Sequence, residues 1–150
     1  CSNAVVRGCV FENCNGKSDK TLGWVAEIFS GATVDPESGF KAPARCASGD
    51  ILVEKNRFKN LRGLAWLANV GENLVFRDNE IEISSDSAES YAACVFVGDV
   101  KGARIVNNTV TARFPAECGV LASAKAEDVV AAANVLRAAG AKDSGASVRR

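Results

Sequence analysis

Two phrases decide the fold: "DILVEKNRFKNL" at residues 50–61 and "NLVFRDNEIEIS" at residues 73–84. Each carries alternating apolar residues, then an asparagine, then a large apolar residue two positions later. Aligned on that asparagine, "AVVRGCVF" (4–11), "ILVEKNRF" (51–58), "LVFRDNEI" (74–81), "ARIVNNTV" (103–110) and "VVAAANVL" (129–136) superpose. The shared position holds Cys9, Asn56, Asn79, Asn108 and Asn134. Three residues before it stand Val6, Val53, Phe76, Ile105 and Ala131, and two after it Phe11, Phe58, Ile81, Val110 and Leu136. The asparagines are 23, 29 and 26 residues apart, and Cys9 precedes Asn56 by 47, room for one coil and an insertion.

A period in the twenties, rich in β-branched residues and without a helical stripe, predicts a solenoid. A leucine-rich repeat needs an L-x-x-L-x-L core, which this chain lacks. The expected fold is all-β: a right-handed parallel β-helix solenoid of about 4–5 coils, cut from a longer solenoid. Each asparagine is expected at a bend between two strands, since Asn tolerates left-handed backbone. Stacked in successive coils, the amides should form a ladder that satisfies polar groups inside.

A second strand column is laid out by "WVAEIFSG" (24–31), "LAWLANVG" (64–71), "CVFVGDV" (94–100) and "CGVLASA" (118–124). Alternation sends one set inward: Trp24, Leu64, Cys94 and Cys118, then Ala26, Trp66, Phe96 and Val120, then Ile28, Ala68, Gly98 and Ala122. Trp24 and Trp66 are thus expected as core rather than sugar platforms. Cys94 and Cys118 face each other one coil apart, about 4.8 Å between backbones, as stacked thiols or a disulfide. The domain reading is coils over 1–141, with an insertion loop at 31–48, and a polar tail over 142–150. The segment "AKAEDVVAAANVLRAAGA" (124–141) also suits a helix ended by Gly140, but its register with Asn134 favours a coil.

Composition limits function. The chain has 150 residues, 47% of them apolar, with 18 Lys and Arg against 18 Asp and Glu. That size and balance suit one domain with a core and argue against a nucleic-acid partner. No apolar run approaches the roughly 18 residues of a membrane span, so no membrane insertion is expected. The absence of histidine removes His-based acid–base chemistry and most zinc sites from this segment. No metal and no cofactor are expected. The six cysteines form no CxxC pair and read as buried thiols. The opening on Cys1 and the lack of any Met suggest a piece of a longer or processed protein.

The outward positions of the second column hold Glu27, Leu67, Val97 and Leu121, then Phe29, Asn69, Asp99 and Ser123. Loops at 15–21, 31–48, 84–92 and 113–117 frame this face as a groove, and grooves on solenoids bind extended ligands. Glu27 and Asp99 are the candidate catalytic acids. Asn69, Asp35, Glu37, Arg62 and Arg113 are the candidate substrate-binding residues, with Tyr91 at the edge. Carboxylates beside an aromatic suit an oligo- or polysaccharide. A glycosidase pairs two carboxyls about 5–5.5 Å or 6.5–9.5 Å apart. Glu27 and Asp99 stand at or beyond the wider limit.

The phrases "VVRGCVFENC", "ILVEKNRF", "LVFRDNEI" and "ARIVNNTV" resemble the parallel β-helix repeats of pectin-lyase-like proteins. More narrowly, "CVFENC", "AEIFSGA", "GDILVEKNRF" and "LAWLANVGENLVFRDNEI", from about residue 5 to 83, resemble late coils of the bacterial α-1,3-galactosidase family of glycoside hydrolases. That resemblance implies an exported enzyme, secreted, periplasmic or at the cell surface. It would cleave terminal α-galactose with inversion through paired carboxylates; the resemblance assigns these to no particular residue here, which leaves coils upstream of Cys1 as an alternative to Glu27 and Asp99. The alternatives are a structural or adhesive β-helix that binds glycans without catalysis, and a polysaccharide lyase.

Overall fold

The computed structural model describes residues 2–14, 24–28, 49–61, 64–84, 95–113, 120–138, 144–145 and 148–149. In chain order the strands are β1 (Ser2–Arg7), β2 (Val10–Glu12), β3 (Trp24–Ile28), β4 (Gly49–Glu54), β5 (Arg57–Leu61), β6 (Leu64–Arg77) and β7 (Glu80–Ile83). They continue as β8 (Val95–Val106), β9 (Thr109–Ala112), β10 (Val120–Ala122), β11 (Val130–Ala132), β12 (Val135–Ala138), β13 (Ser144–Gly145) and β14 (Val148–Arg149). The fold is all-β, and the described residues contain no helix.

One sheet runs β1-β4-β6-β8-β10-β14, with β3 beside β6 and β11 beside β8. The other runs β13-β12-β9-β7-β5-β2. Pairing is parallel except between β12 and β13. The partners of each parallel pair lie one sequence repeat apart. Val6 pairs with Val53, Val53 with Phe76, Phe76 with Ile105 and Ala131 with Ile105, as the aligned phrases require. After the bend Phe11 pairs with Phe58, Phe58 with Ile81, Ile81 with Val110 and Leu136 with Val110.

Backbone conformation recurs with the same regularity. Asn3, Asp50, Asn73, Gly102 and Asp128 take φ of 51 to 75°, and so do Gly8, Lys55, Asp78, Asn107 and Ala133 at a constant separation downstream. Each repeat thus turns at both ends of its β1-type strand. The first of these corners divides β6 and β8, so that Leu64–Ala68 pairs with β3 while Glu72–Arg77 pairs with β4. Contrary to the sequence expectation, the ladder asparagines are not the left-handed residues. The residue before each of them turns the chain, and the turn aims the following amide inward.

The interior is apolar. Val53, Phe58, Phe76, Ile105 and Val110 are fully buried. Phe11, Phe58 and Phe76 stack from repeat to repeat at centroid distances of 4.9 and 6.1 Å, and Trp66 tilts against Phe76 at 6.2 Å. Burial of each such side chain contributes about 1.5–3 kcal/mol. The asparagines Asn56, Asn79, Asn108 and Asn134 are buried with them. Each Oδ1 accepts the backbone N–H of the preceding rung, at 2.9 Å from Cys9 and 3.0 Å from Asn56, Asn79 and Asn108. Each Nδ2 donates to a carbonyl of the preceding repeat: Val6 at 3.0 Å, Val53 at 3.1 Å, Phe76 at 3.0 Å and Ile105 at 2.7 Å.

Two further expectations change. In the second column Trp66 pairs with Val95 and Ala68 with Val97, and Val120 and Ala122 pair with those same valines. All six are buried. The inward series therefore runs through Val95 and Val97, one residue out of step with the expected Cys94, Phe96 and Gly98: β-branched Val95 fills the row between Trp66 and Val120, and Val97 the row between Ala68 and Ala122. Val97 accordingly leaves the outer face. The segment 124–141 supplies β11 and β12 with Asn134 in the ladder, so its helix propensity yields to tertiary pairing. From the tail 142–150, β13 lies antiparallel along β12 and β14 lies parallel along β10.

Candidate functional site

The strands β5, β7, β9 and β12 bury Phe58, Ile81, Val110 and Leu136 on one face, so alternation turns their neighbours outward. The outer face carries two rows across the sheet. One is Arg57, Glu80, Thr109 and Val135, and the other is Glu82, Thr111 and Arg137; the β5 register shifts after Phe58, so Lys59 stands near this second row without being paired into it. A groove of about 420 Å³ lies over them, lined by Arg57, Lys59, Glu80, Glu82, Thr109, Thr111 and Arg137. Basic, acidic and hydroxyl groups follow one another from strand to strand, about 4.8 Å per step.

Ion pairs fix two of these groups. Arg57 Nη2 lies 2.6 Å from Glu80 Oε2, and Arg113 Nη2 lies 2.6 Å from Glu82 Oε1. Such exposed pairs contribute little stability, but they hold two carboxylates in a set orientation. Glu80 and Glu82 are alternate residues of one strand, about 6.6 Å apart along it. That spacing falls in the range of an inverting glycosidase. The setting does not: a general acid works from an apolar, buried site, and both carboxylates stand in solvent against guanidinium groups. Carboxylates, hydroxyls and cations in this array can instead accept and donate several hydrogen bonds along an extended polar ligand.

The sequence-derived site lies on the other column. Glu27 of β3 is in register with Leu67, which pairs with Phe96. Asp99 pairs with Val70, one position out of row with Asn69. Glu27 and Asp99 are therefore two strands and three rows apart, about 14 Å between backbones. Asp35, Glu37, Arg62 and Tyr91 lie outside the described residues, as do Cys94 and Cys118. Arg113 is brought to Glu82, at the rim of the groove over β7 and β9. Trp66 is buried, as expected of a core residue, and its Nε1 has no hydrogen-bond partner among the described residues. The two described cysteines, Cys9 and Cys14, are free, and Cys9 is exposed rather than buried.

A charged cluster that sequence reasoning missed sits at a corner of the first sheet. Glu54, 2% exposed, takes Arg7 Nε on Oε1 and Arg77 on Oε2, the latter at 2.6 Å from Nη2 and 2.7 Å from Nε. The Arg77 hydrogen bond is the largest cause holding its carboxyl below the ordinary 4.5; burial opposes it and Arg7 adds to it. Its signal was present in the aligned phrases, where Arg7, Glu54 and Arg77 occupy one column. The cluster ties three repeats together. Among the described residues no three His, Cys, Asp or Glu side chains converge as a metal site, and no helix is long and apolar enough to cross a membrane.

Comparison with protein-family models, with curated proteins and with solved structures finds no match to this chain.

Proposed function

We propose that the chain supplies consecutive coils of a right-handed parallel β-helix and that this solenoid holds a glycan against its outer surface, as part of an exported carbohydrate-active protein. The repeat-to-repeat parallel register and the buried amide ladder support the solenoid. The observation that carries the binding reading is the groove over β5, β7, β9 and β12, where ion-paired Glu80 and Glu82 alternate with basic and hydroxyl side chains. Hydrolysis of α-galactosides is the activity that the resemblance to α-1,3-galactosidases suggests. On this reading the acids that perform it are not Glu80 and Glu82, and the segment contributes binding surface.

The test is a calorimetric titration of the folded chain with galactose-containing oligosaccharides and plant or bacterial polysaccharides. Binding of one of them, weakened roughly tenfold by Glu82→Gln through loss of a charged hydrogen-bond acceptor, is the expected result. Equal binding by the parent and by both Glu80→Gln and Glu82→Gln removes this groove. The same titration with Glu27→Gln and Asp99→Asn asks whether the other column binds instead. No binding of any glycan removes the reading.

A further inference from the structure

Strand β5 carries one residue more than its partner β7. Phe58 pairs with Ile81, but Leu61 pairs with Ile83, so Lys59 and Asn60 together stand opposite Glu82 alone. Such an insertion is a β-bulge, a device that re-aims side chains beside functional surfaces. Asn60 takes up the extra length in left-handed backbone, at φ 51°. Neighbouring repeats pin it on both sides. Its Nδ2 donates to Asn13 Oδ1, and its Oδ1 accepts from Ser84 Oγ.

The consequence is electrostatic. In unbroken register Lys59 and Glu82 would face each other as Arg57 and Glu80 do. Instead Glu82 is held by Arg113. Lys59 forms no ion pair among the described residues, with Glu12 beside it in register on β2 or with any other acid. Yet Lys59 is half-buried and lines the groove. With Arg113 at the rim, the groove sets four cationic side chains, Arg57, Lys59, Arg113 and Arg137, against two carboxylates, Glu80 and Glu82. Both carboxylates are already matched.

A cation partly withdrawn from water gains most from an ionised acceptor. Lys59 offers three donors on a flexible stem, and it shares the groove with the hydroxyls of Thr109 and Thr111, which can also donate to an oxyanion. We infer that the glycan held here is anionic and that Lys59 receives a carboxylate or sulfate group of it, an inference that rests on the glycan reading above and narrows its ligand class. A neutral galactoside would leave the ammonium without a counter-charge.

The experiment titrates the full chain by calorimetry with three linear polysaccharides: polygalacturonate for carboxylate, iota-carrageenan for sulfate, and an uncharged galactan. The parent is compared with Lys59→Gln and Lys59→Arg. One anionic chain or both should bind the parent roughly tenfold more tightly than the uncharged galactan, the effect of one charge-assisted hydrogen bond. Lys59→Gln should remove that advantage and leave galactan binding unchanged, whereas Lys59→Arg, which keeps the charge, should retain most of it. The anionic chain that loses affinity in Lys59→Gln tells carboxylate from sulfate. Galactan binding as tight as that of both anionic chains, or an anionic preference that survives Lys59→Gln, overturns the inference and leaves the glycan reading standing. Failure of both anionic chains to bind overturns it too, and the neutral ligands of the wider titration then decide the glycan reading by themselves.

Discussion

The Oδ1 atom of Asn79 accepts two hydrogen bonds from Asn56, one from the backbone N–H at 3.0 Å and one from Nδ2 at 3.1 Å. One amide oxygen thereby satisfies two buried donors of the preceding repeat, while Asn79 Nδ2 satisfies the Val53 carbonyl. Removing this side chain takes the Asn79 partner from the buried Asn56 backbone N–H and from the Val53 carbonyl, while Asn56 Nδ2 keeps its bond to the Val6 carbonyl. Asn79→Ala should cost about 1–3 kcal/mol in a urea melt. The damage should also be one-sided. Amide exchange should quicken at Asn56 more than at Thr109, whose N–H bonds the Asn79 backbone carbonyl at 2.9 Å and survives the substitution.

The aromatic stack is equally local. Phe58 is fully buried between Phe11 and Phe76. Phe58→Ala should open a cavity and cost about 3–5 kcal/mol. Trp66 differs, because its Nε1 is buried without a partner among the described residues. Trp66→Phe removes an unsatisfied donor, worth about 1–3 kcal/mol, against some lost volume. Its melt should lie close to that of the parent, while Trp66→Ala falls by about 3–5 kcal/mol. A Trp66→Phe variant as unstable as Trp66→Ala would show that the indole N–H has a partner.

The ladder and the stacked apolar rows were legible in the sequence because each row repeats a chemical type at a steady period. Asn56, Asn79 and Asn108 sit between apolar residues at fixed offsets, a pattern that a helix or a sandwich has no reason to keep. The turning residue was misplaced by one position for a physical reason. Asp78 and Asn107 are as tolerant of left-handed backbone as the asparagines that follow them, and Lys55 and Ala133 give no signal at all. The register of the second column slipped because Val95, Phe96 and Val97 are all apolar, so alternation alone does not choose between them. The groove was hidden for another reason. Arg57, Glu80, Glu82 and Arg113 read singly as a solvated face, and become an array only when the fold sets Arg57 beside Glu80 and Arg113 beside Glu82.

Ala133 occupies a turn at φ 53°, where its equivalents include Gly8 and Asn107. Left-handed backbone costs a residue with a Cβ about 1–2 kcal/mol. Ala133→Gly should therefore stabilise the protein by about 0.5–1 kcal/mol, the relieved strain exceeding the added entropy of the unfolded chain. Gly102→Ala should act in the opposite sense. Its φ is +75°, and a Cβ there would meet Asn73 Oδ1 at 3.1 Å. Paired thermal melts of the two variants, shifting in opposite directions, check both statements.

The Glu54 cluster makes a prediction about pH. Arg77 and Arg7 hold the Glu54 carboxyl below its ordinary 4.5 in the folded protein. A carboxyl with a depressed folded value binds its proton more readily when unfolded. It therefore contributes stability that is fully present above the unfolded value and is lost as pH falls through the folded one. In urea melts the parent should outlast Glu54→Gln at neutral pH. The gap should begin to close as pH drops below about 5, where unfolded carboxyls start to take up protons, and vanish once Glu54 is protonated in both states. Because the carboxylate bridges Arg7 of β1 to Arg77 of β6, the loss should appear first as faster amide exchange in β1. A gap that widens on acidification would contradict the assigned ion pairs.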